Sequence, residues 1–131
     1  MVLDSSFLLS MLKERRDIRE EIRATIHGKM ELVCLDLVKY ELERLVRQGS
    51  SATSRTARLA LDNFDKWKIR IAEAPYGPRE VDLVLAIYAL AEKSRVIVAT
   101  ADRKLLDTLS KNKIPTVRPS NQSGLIASWK D

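Results

Sequence analysis

The chain has 131 residues, 45% of them hydrophobic and 31% charged, which at roughly 150 residues per domain predicts one domain with a core of its own. Its longest uncharged run, 119–129, falls far short of the roughly 18 apolar residues of a membrane span, and MVLDSSFLL at the start carries Asp4 and no basic leader, so neither a membrane span nor a secretory signal is expected. One cysteine, Cys34, and one histidine, His27, exclude an internal disulfide and a Cys/His zinc site. The expectation is one cytoplasmic domain over 1–131, with 119–131 as a loop and tail. The net charge of +5 favours phosphate-rich partners, because basic side chains release counterions condensed on a polyanion.

Val2-Leu3 is a brief apolar start that stops at Asp4-Ser5-Ser6. Residues 17–27 read as a polar helix with Arg16, Arg19, Glu20 and Arg23 on a solvated face, stopped near Gly28. Glu31–Leu35 (ELVCL) is a short buried strand, and Asp36 caps a helix to about Gln48. Residues 49–56 (GSSATSRT) read as a turn-rich connection to an amphipathic helix through Leu59, Phe64 and Trp67. Ile69–Ala72 is an edge strand, 75–78 a turn and 79–93 a periodic helix. Arg95–Thr100 (RVIVAT) is the clearest strand. Asp102 caps a helix to about Asn112, Ile114–Val117 is a last strand, and a loop from Pro119 leads into the tail. Short apolar strands alternating with helices predict an α/β layered fold with a mainly parallel sheet. Ligands of such sheets bind at the carboxyl ends of the strands.

Two acids stand at strand ends: Asp4 after Val2-Leu3, and Asp102 after the RVIVAT segment. Taken singly, each reads first as a helix cap, since Asp is a favoured cap. Two more lie on helices. Glu41 shares a stripe with Leu37, Val38, Leu42 and Leu45, and Asp82 precedes Leu85, Ala86 and Ala89 at helical spacing. An uncompensated carboxylate on an apolar face costs several kcal/mol and calls for a cation. A salt bridge supplies one; so does a divalent metal shared by all four acids. Oxygen-only ligands select the hard cations Mg²⁺ or Mn²⁺. A basic protein with such a pocket suits phosphodiester hydrolysis, in which metal lowers the pKa of water and offsets the leaving oxyanion.

The ordered set VLDSS, YELERL, EVDLVLAIYALA and VATADRKL resembles the PIN-domain ribonucleases from residue 1 to about 118. The closest likeness is to the archaeal and eukaryotic proteins linked to ribosomal RNA processing, with toxins of toxin–antitoxin pairs next. The resemblance implies a PIN-like three-layer α/β/α sandwich and single-stranded RNA as substrate. It carries the family's metal-binding acids onto Asp4, Glu41, Asp82 and Asp102. Ser6 and Thr100 match the hydroxyl positions that orient those carboxylates. Many members have another acid two residues after the last aspartate, where this chain has Lys104; one firmly held ion is therefore expected.

The implied reaction is in-line attack of water on an RNA phosphate, leaving a 5′-phosphate and a 3′-hydroxyl. Asp4, Asp82 and Asp102 would ligate metal, and Glu41 would ligate through water or orient the nucleophile. Arg103 and Lys104 are placed for the RNA backbone, with Arg15, Arg16, Arg19 and Arg23 flanking its path; a merely solvated surface is the competing reading. Leu125, Ile126 and Trp129 suit either a homodimer contact or folding back onto the domain. Further expected partners are an antitoxin or a ribosome-assembly protein, and no membrane. His27 and Cys34 read as structural, and Tyr40, Trp67 and Tyr88 as packing residues.

Three rivals are weaker. A phosphoacceptor receiver domain wants a second acid beside the first strand's aspartate, where Ser5-Ser6 stand. A haloacid-dehalogenase-type phosphatase needs an aspartate at the place of Ser6. A PIN-like scaffold that binds RNA or protein without cutting is the serious alternative; the four acids speak against it and Lys104 for it.

Overall fold

The strands are short apolar runs bounded by polar residues, and they assemble into one sheet. In the computed structural model, which describes residues 1–74 and 83–129, they are β1 (Val2–Leu3), β2 (Leu32–Leu35), β3 (Ile69–Ala72), β4 (Val98–Ala99), β5 (Thr116–Pro119) and β6 (Leu125–Ala127). The order is β3-β2-β1-β4-β5-β6. All neighbouring pairs are parallel except the antiparallel hairpin β5–β6.

Helices α1 (Ser5–Lys13), α2 (Ile18–Thr25), α3 (Asp36–Gln48) and α4 (Ser51–Asp62) lie in the connections β1-to-β2 and β2-to-β3. The chain then turns back across the sheet through α5 (Leu83–Lys93) and α6 (Arg103–Lys111). Right-handed crossovers put α1–α4 on one face and α5–α6 on the other, giving the expected three-layer α/β/α sandwich. Its core runs through Leu3, Phe7, Leu8, Leu42, Ile87, Val98 and Leu109, all fully buried. Among the described residues no helix is long and apolar enough to cross a membrane.

Several sequence expectations are corrected. Ser5–Lys13, not foreseen as a helix, forms α1 because Phe7, Leu8 and Met11 make one buried stripe. The supposed connection 49–56 is mostly helix. Ser50 caps α4 by accepting from the Thr53 N–H at 3.2 Å, and the hydroxyls of Ser54 and Thr56 donate to the carbonyls of Val46 and Ala52. Such bonds satisfy the hydroxyls inside the helix without selecting it; burial of Ala57 and Ala60 does that. Phe64 and Trp67 lie beyond its end, which Asn63 caps.

The last strands also shift. β5 runs Thr116–Pro119 rather than from Ile114, and the tail supplies β6. Leu125 packs against the core, whereas Ile126 and Trp129 are exposed. Tyr40 is exposed rather than packed, while Trp67 and Tyr88 are half-buried against the core. Arg16 leaves the solvated face altogether: its guanidinium reaches Glu21 at 2.5 Å and donates to the carbonyls of Ser120 (3.0 Å) and Gly124 (2.7 Å). Arg19 Nε donates to the Trp67 carbonyl at 3.0 Å. The turn expected at 75–78 and the first residues of the helix expected from 79 lie outside the described residues.

Candidate active site

β1 has β2 on one side and β4 on the other, and the chain leaves these strands toward opposite faces. That is the switch point at which a parallel sheet opens a crevice at its carboxyl edge. Asp4 follows β1 and Thr100 follows β4, so the fold brings both to this crevice. The Asp4 N–H donates to the Ala99 carbonyl at 2.9 Å, which sets the register between them.

Asp4 occupies the N-cap position of α1, yet its side chain makes no capping bond. Its Oδ2 instead accepts from Ser6 Oγ at 2.6 Å and from Thr100 Oγ1 at 2.7 Å. Those hydroxyls in turn accept from the N–H groups of Ala101 and Asp102, both at 3.0 Å. Each hydroxyl has one proton. With both protons directed at Asp4, the 3.0 Å approach of Ser6 Oγ to Thr100 Oγ1 is a contact of two oxygens held together by the carboxylate. N–H to O–H to carboxylate chains of this kind reinforce one another. They leave Oδ1 of Asp4 without a hydrogen-bond partner among the described residues.

Asp102 plays the opposite part. Its Oδ1 accepts from the N–H groups of Lys104 (2.9 Å) and Leu105 (3.3 Å), capping α6 as its sequence position suggested. Asp4, Asp102 and Lys104 edge one cleft of about 280 Å³, walled by Leu83, Val84, Leu105 and Thr108. Leu83 and Val84 open α5, so the cleft lies between α5, α6 and the end of β1. Arg103, by contrast, lines a different groove.

Glu41 is not among the cleft's lining residues. Val38 and Leu42 take the buried stripe of α3, and Glu41 lies at its margin, paired with Arg44 at 2.7 Å on a half-exposed surface. The expectation of a core-facing carboxylate is corrected accordingly: a one-residue step rotates a helical side chain about a quarter turn out of the stripe. Asp82 lies outside the described residues. Among the described residues no three His, Cys, Asp or Glu side chains group closely enough to hold a metal ion.

Asp36, expected as the cap of α3, is instead its first residue, and it belongs to this edge through a contact that the sequence reading did not foresee. Leu35 is the N-cap of α3, and Asp36 Oδ1 accepts from the N–H groups of Leu37 (2.8 Å) and Ala74 (3.1 Å). It thus ties the start of α3 to the chain just after β3. Its position immediately after a buried strand, shared with Asp4, was the available signal. Behind these acids Cys34 is buried, and loss of solvent, aided by the Asp4 and Asp36 charges, pushes its thiol up to about 12. His27 is exposed.

The fold and the cleft define a class: an α/β/α domain whose acid-edged site lies at the switch point of a parallel sheet. Residues 1–120 match the family model described as a PIN like domain, and the chain belongs to that family, as the resemblance anticipated. It is 32% identical over 119 residues to Ribonuclease VapC4 of Methanocaldococcus jannaschii, an alignment covering 89% of this chain and 87% of that protein. In structure it is similar to the PIN domain endonuclease Utp24, with a TM-score of 0.77 at 20% identity, covering 97% of this chain and 89% of that one.

Proposed function

We propose that this protein is a metal-dependent endoribonuclease that hydrolyses phosphodiester bonds of single-stranded RNA. The observation that carries the reading is the orientation of Asp4. A residue at a helix N-cap that edges the cleft gives up the ordinary capping bond, is locked by two hydroxyls on one oxygen, and keeps the other oxygen without a partner among the described residues. Family membership and the ribonuclease relative support the same reading.

The oxygen-only donors at the cleft fit Mg²⁺ or Mn²⁺. Asp4 and Asp102 would hold the ion, with Asp82 joining them and Glu41 acting only if it leaves Arg44. A bound divalent ion supplies a lowered pKa for water and charge to offset the leaving oxyanion. The chain's own residues do the rest. Ser6 and Thr100 fix the Asp4 carboxylate, the Asp102 cap holds the first turn of α6, and Lys104 brings a cation to the cleft for the phosphate.

End-labelled single-stranded RNA incubated with Mn²⁺, Mg²⁺ or EDTA tests this, with Asp4→Asn and Asp82→Asn alongside. Cleavage that needs metal and disappears in both variants is expected. Equal cleavage by parent and variants would refute the assignment, and no cleavage in either metal would favour a non-cutting scaffold. Expression of the chain alone separates the cellular roles: growth arrest marks a toxin with an antitoxin partner, and unimpaired growth favours a ribosomal RNA processing factor.

A further inference from the structure

Arg103 and Lys104 are consecutive in the first turn of α6 but serve different openings. Lys104 edges the acidic cleft, and Arg103 lines a second groove of about 530 Å³. Ala101 and Asp102 divide in the same way, so the two openings meet across the turn between β4 and α6. Arg118 of β5 lines the second groove as well. Neither arginine is in a salt bridge among the described residues. Of the two acids in the groove, Glu14 is paired with Arg16 at 3.2 Å, which leaves Asp107 against two open guanidiniums.

The remaining lining suits a polynucleotide. Leu106, Pro119 and Ile126 offer apolar surface, and Asn121 a side-chain donor. The far wall is rigid, because Arg16 donates to the carbonyls of Ser120 and Gly124 while Glu21 accepts from the Gly124 N–H at 2.9 Å. A positively charged groove that tracks the backbone is how single strands are held without sequence preference; the lining here has no aromatic side chain for bases to stack on, so the phosphates carry the contact and the aliphatic side chains only shelter the bases.

We propose that this groove carries the single-stranded RNA to one side of the acidic cleft, with Arg103 and Arg118 on the phosphates and the bases over Leu106, Pro119 and Ile126. The proposal rests on the ribonuclease reading above for its substrate class. It assigns Arg118, some 15 residues from Arg103 in the chain, to the same RNA path.

Fluorescence anisotropy of a fluorescein-labelled single-stranded oligoribonucleotide, measured on an Asp4→Asn background, tests binding apart from cutting. Arg118→Ala is expected to weaken binding roughly tenfold at any sequence, and to shrink the slope of log affinity against log salt by about 0.7. Arg118→Glu weakens it further and Arg118→Lys restores part, while Arg58→Ala, at an exposed position of α4, changes nothing. In cleavage by the otherwise native protein, Arg118→Ala raises KM and leaves kcat unchanged. Unchanged affinity and KM in both Arg118→Ala and Arg118→Glu would overturn the proposal and leave the groove to a protein partner. Salt-dependent RNA binding through Arg118 in a protein that cuts no RNA would uphold the groove and reject the nuclease reading instead.

Discussion

Thr100 Oγ1 donates to Asp4 Oδ2 across 2.7 Å, joining the ends of two neighbouring parallel strands at a buried carboxylate. The two residues are far apart in the chain, and the bond exists only because β1 and β4 are adjacent. Thr100→Val keeps the shape and removes the hydroxyl. It should cut RNA cleavage about 10–100-fold, the usual range when a group that orients a metal-binding carboxylate is lost, and cost about 1–3 kcal/mol of stability. Single-turnover rates and denaturant unfolding measure the two effects; full activity in the variant would remove Thr100 from the site.

Acid should loosen the β5–β6 hairpin through Glu21. The hydrogen bonds from Arg16 hold its carboxyl below the usual glutamate range. A carboxyl whose folded pKa is depressed contributes stability that is present above its unfolded pKa and lost as pH falls through the folded value. The native protein should therefore lose stability below about pH 4.3, the ordinary glutamate value, by more than Glu21→Gln does. At neutral pH Glu21→Gln should cost about 1–3 kcal/mol, because it leaves the largely buried Arg16 guanidinium with only the more exposed Glu14 as counter-charge. Unfolding curves at a series of pH values for both proteins supply the comparison.

Cys34 should be chemically silent in the native state. Its thiol is buried and pushed up to about 12, so almost no thiolate exists at pH 8. A thiol reagent such as dithionitrobenzoate should label it only in denaturant. Rapid stoichiometric labelling of the native protein would contradict its place behind Asp4 and Asp36.

Ala57 and Ala60 are fully buried on α4, and their small size lets that helix approach its neighbours closely. Ala60→Leu should cost about 1–3 kcal/mol through overpacking, whereas Ala52→Leu on the exposed start of the same helix should fall within about 0.5 kcal/mol of the parent. Thermal unfolding of the two variants distinguishes packing from a general effect of the substitution on helix propensity.

Period and punctuation carried most of the architecture in the linear chain. ELVCL and RVIVAT are short apolar runs that read as buried strands and IRIA as an edge strand, although only Val98–Ala99 of RVIVAT pairs as strand, and the helices between them force parallel pairing. Asp102 was readable as a cap because N-capping needs only the three residues that follow it. Where one local interaction competed with another, the linear reading failed: hydroxyls in 50–56 could bond as turns or as helix, and only packing of Ala57 and Ala60 selects helix. The tail hairpin was equally hidden, since β6 has no strong pattern and is held by β5 and the Arg16–Glu21 pair.

For the site, residue types and order point to an acidic, oxygen-only pocket, and the resemblance of those segments to PIN domains names the family. Which carboxylate turns inward depends on contacts between segments distant in sequence. Asp4 and Asp102 are both strand-end acids at helix starts, and nothing local tells them apart. Asp4 abandons its cap because Thr100 arrives from β4 with a hydroxyl, while Asp102 keeps its cap because the one Thr100 proton already goes to Asp4. Glu41 turns to Arg44 three residues on, nearly one helical turn away, because burying Val38 and Leu42 leaves it at the margin of α3. Composition and spacing are local properties of the chain; the assignment of each hydrogen bond waits for strand neighbours that only folding brings together.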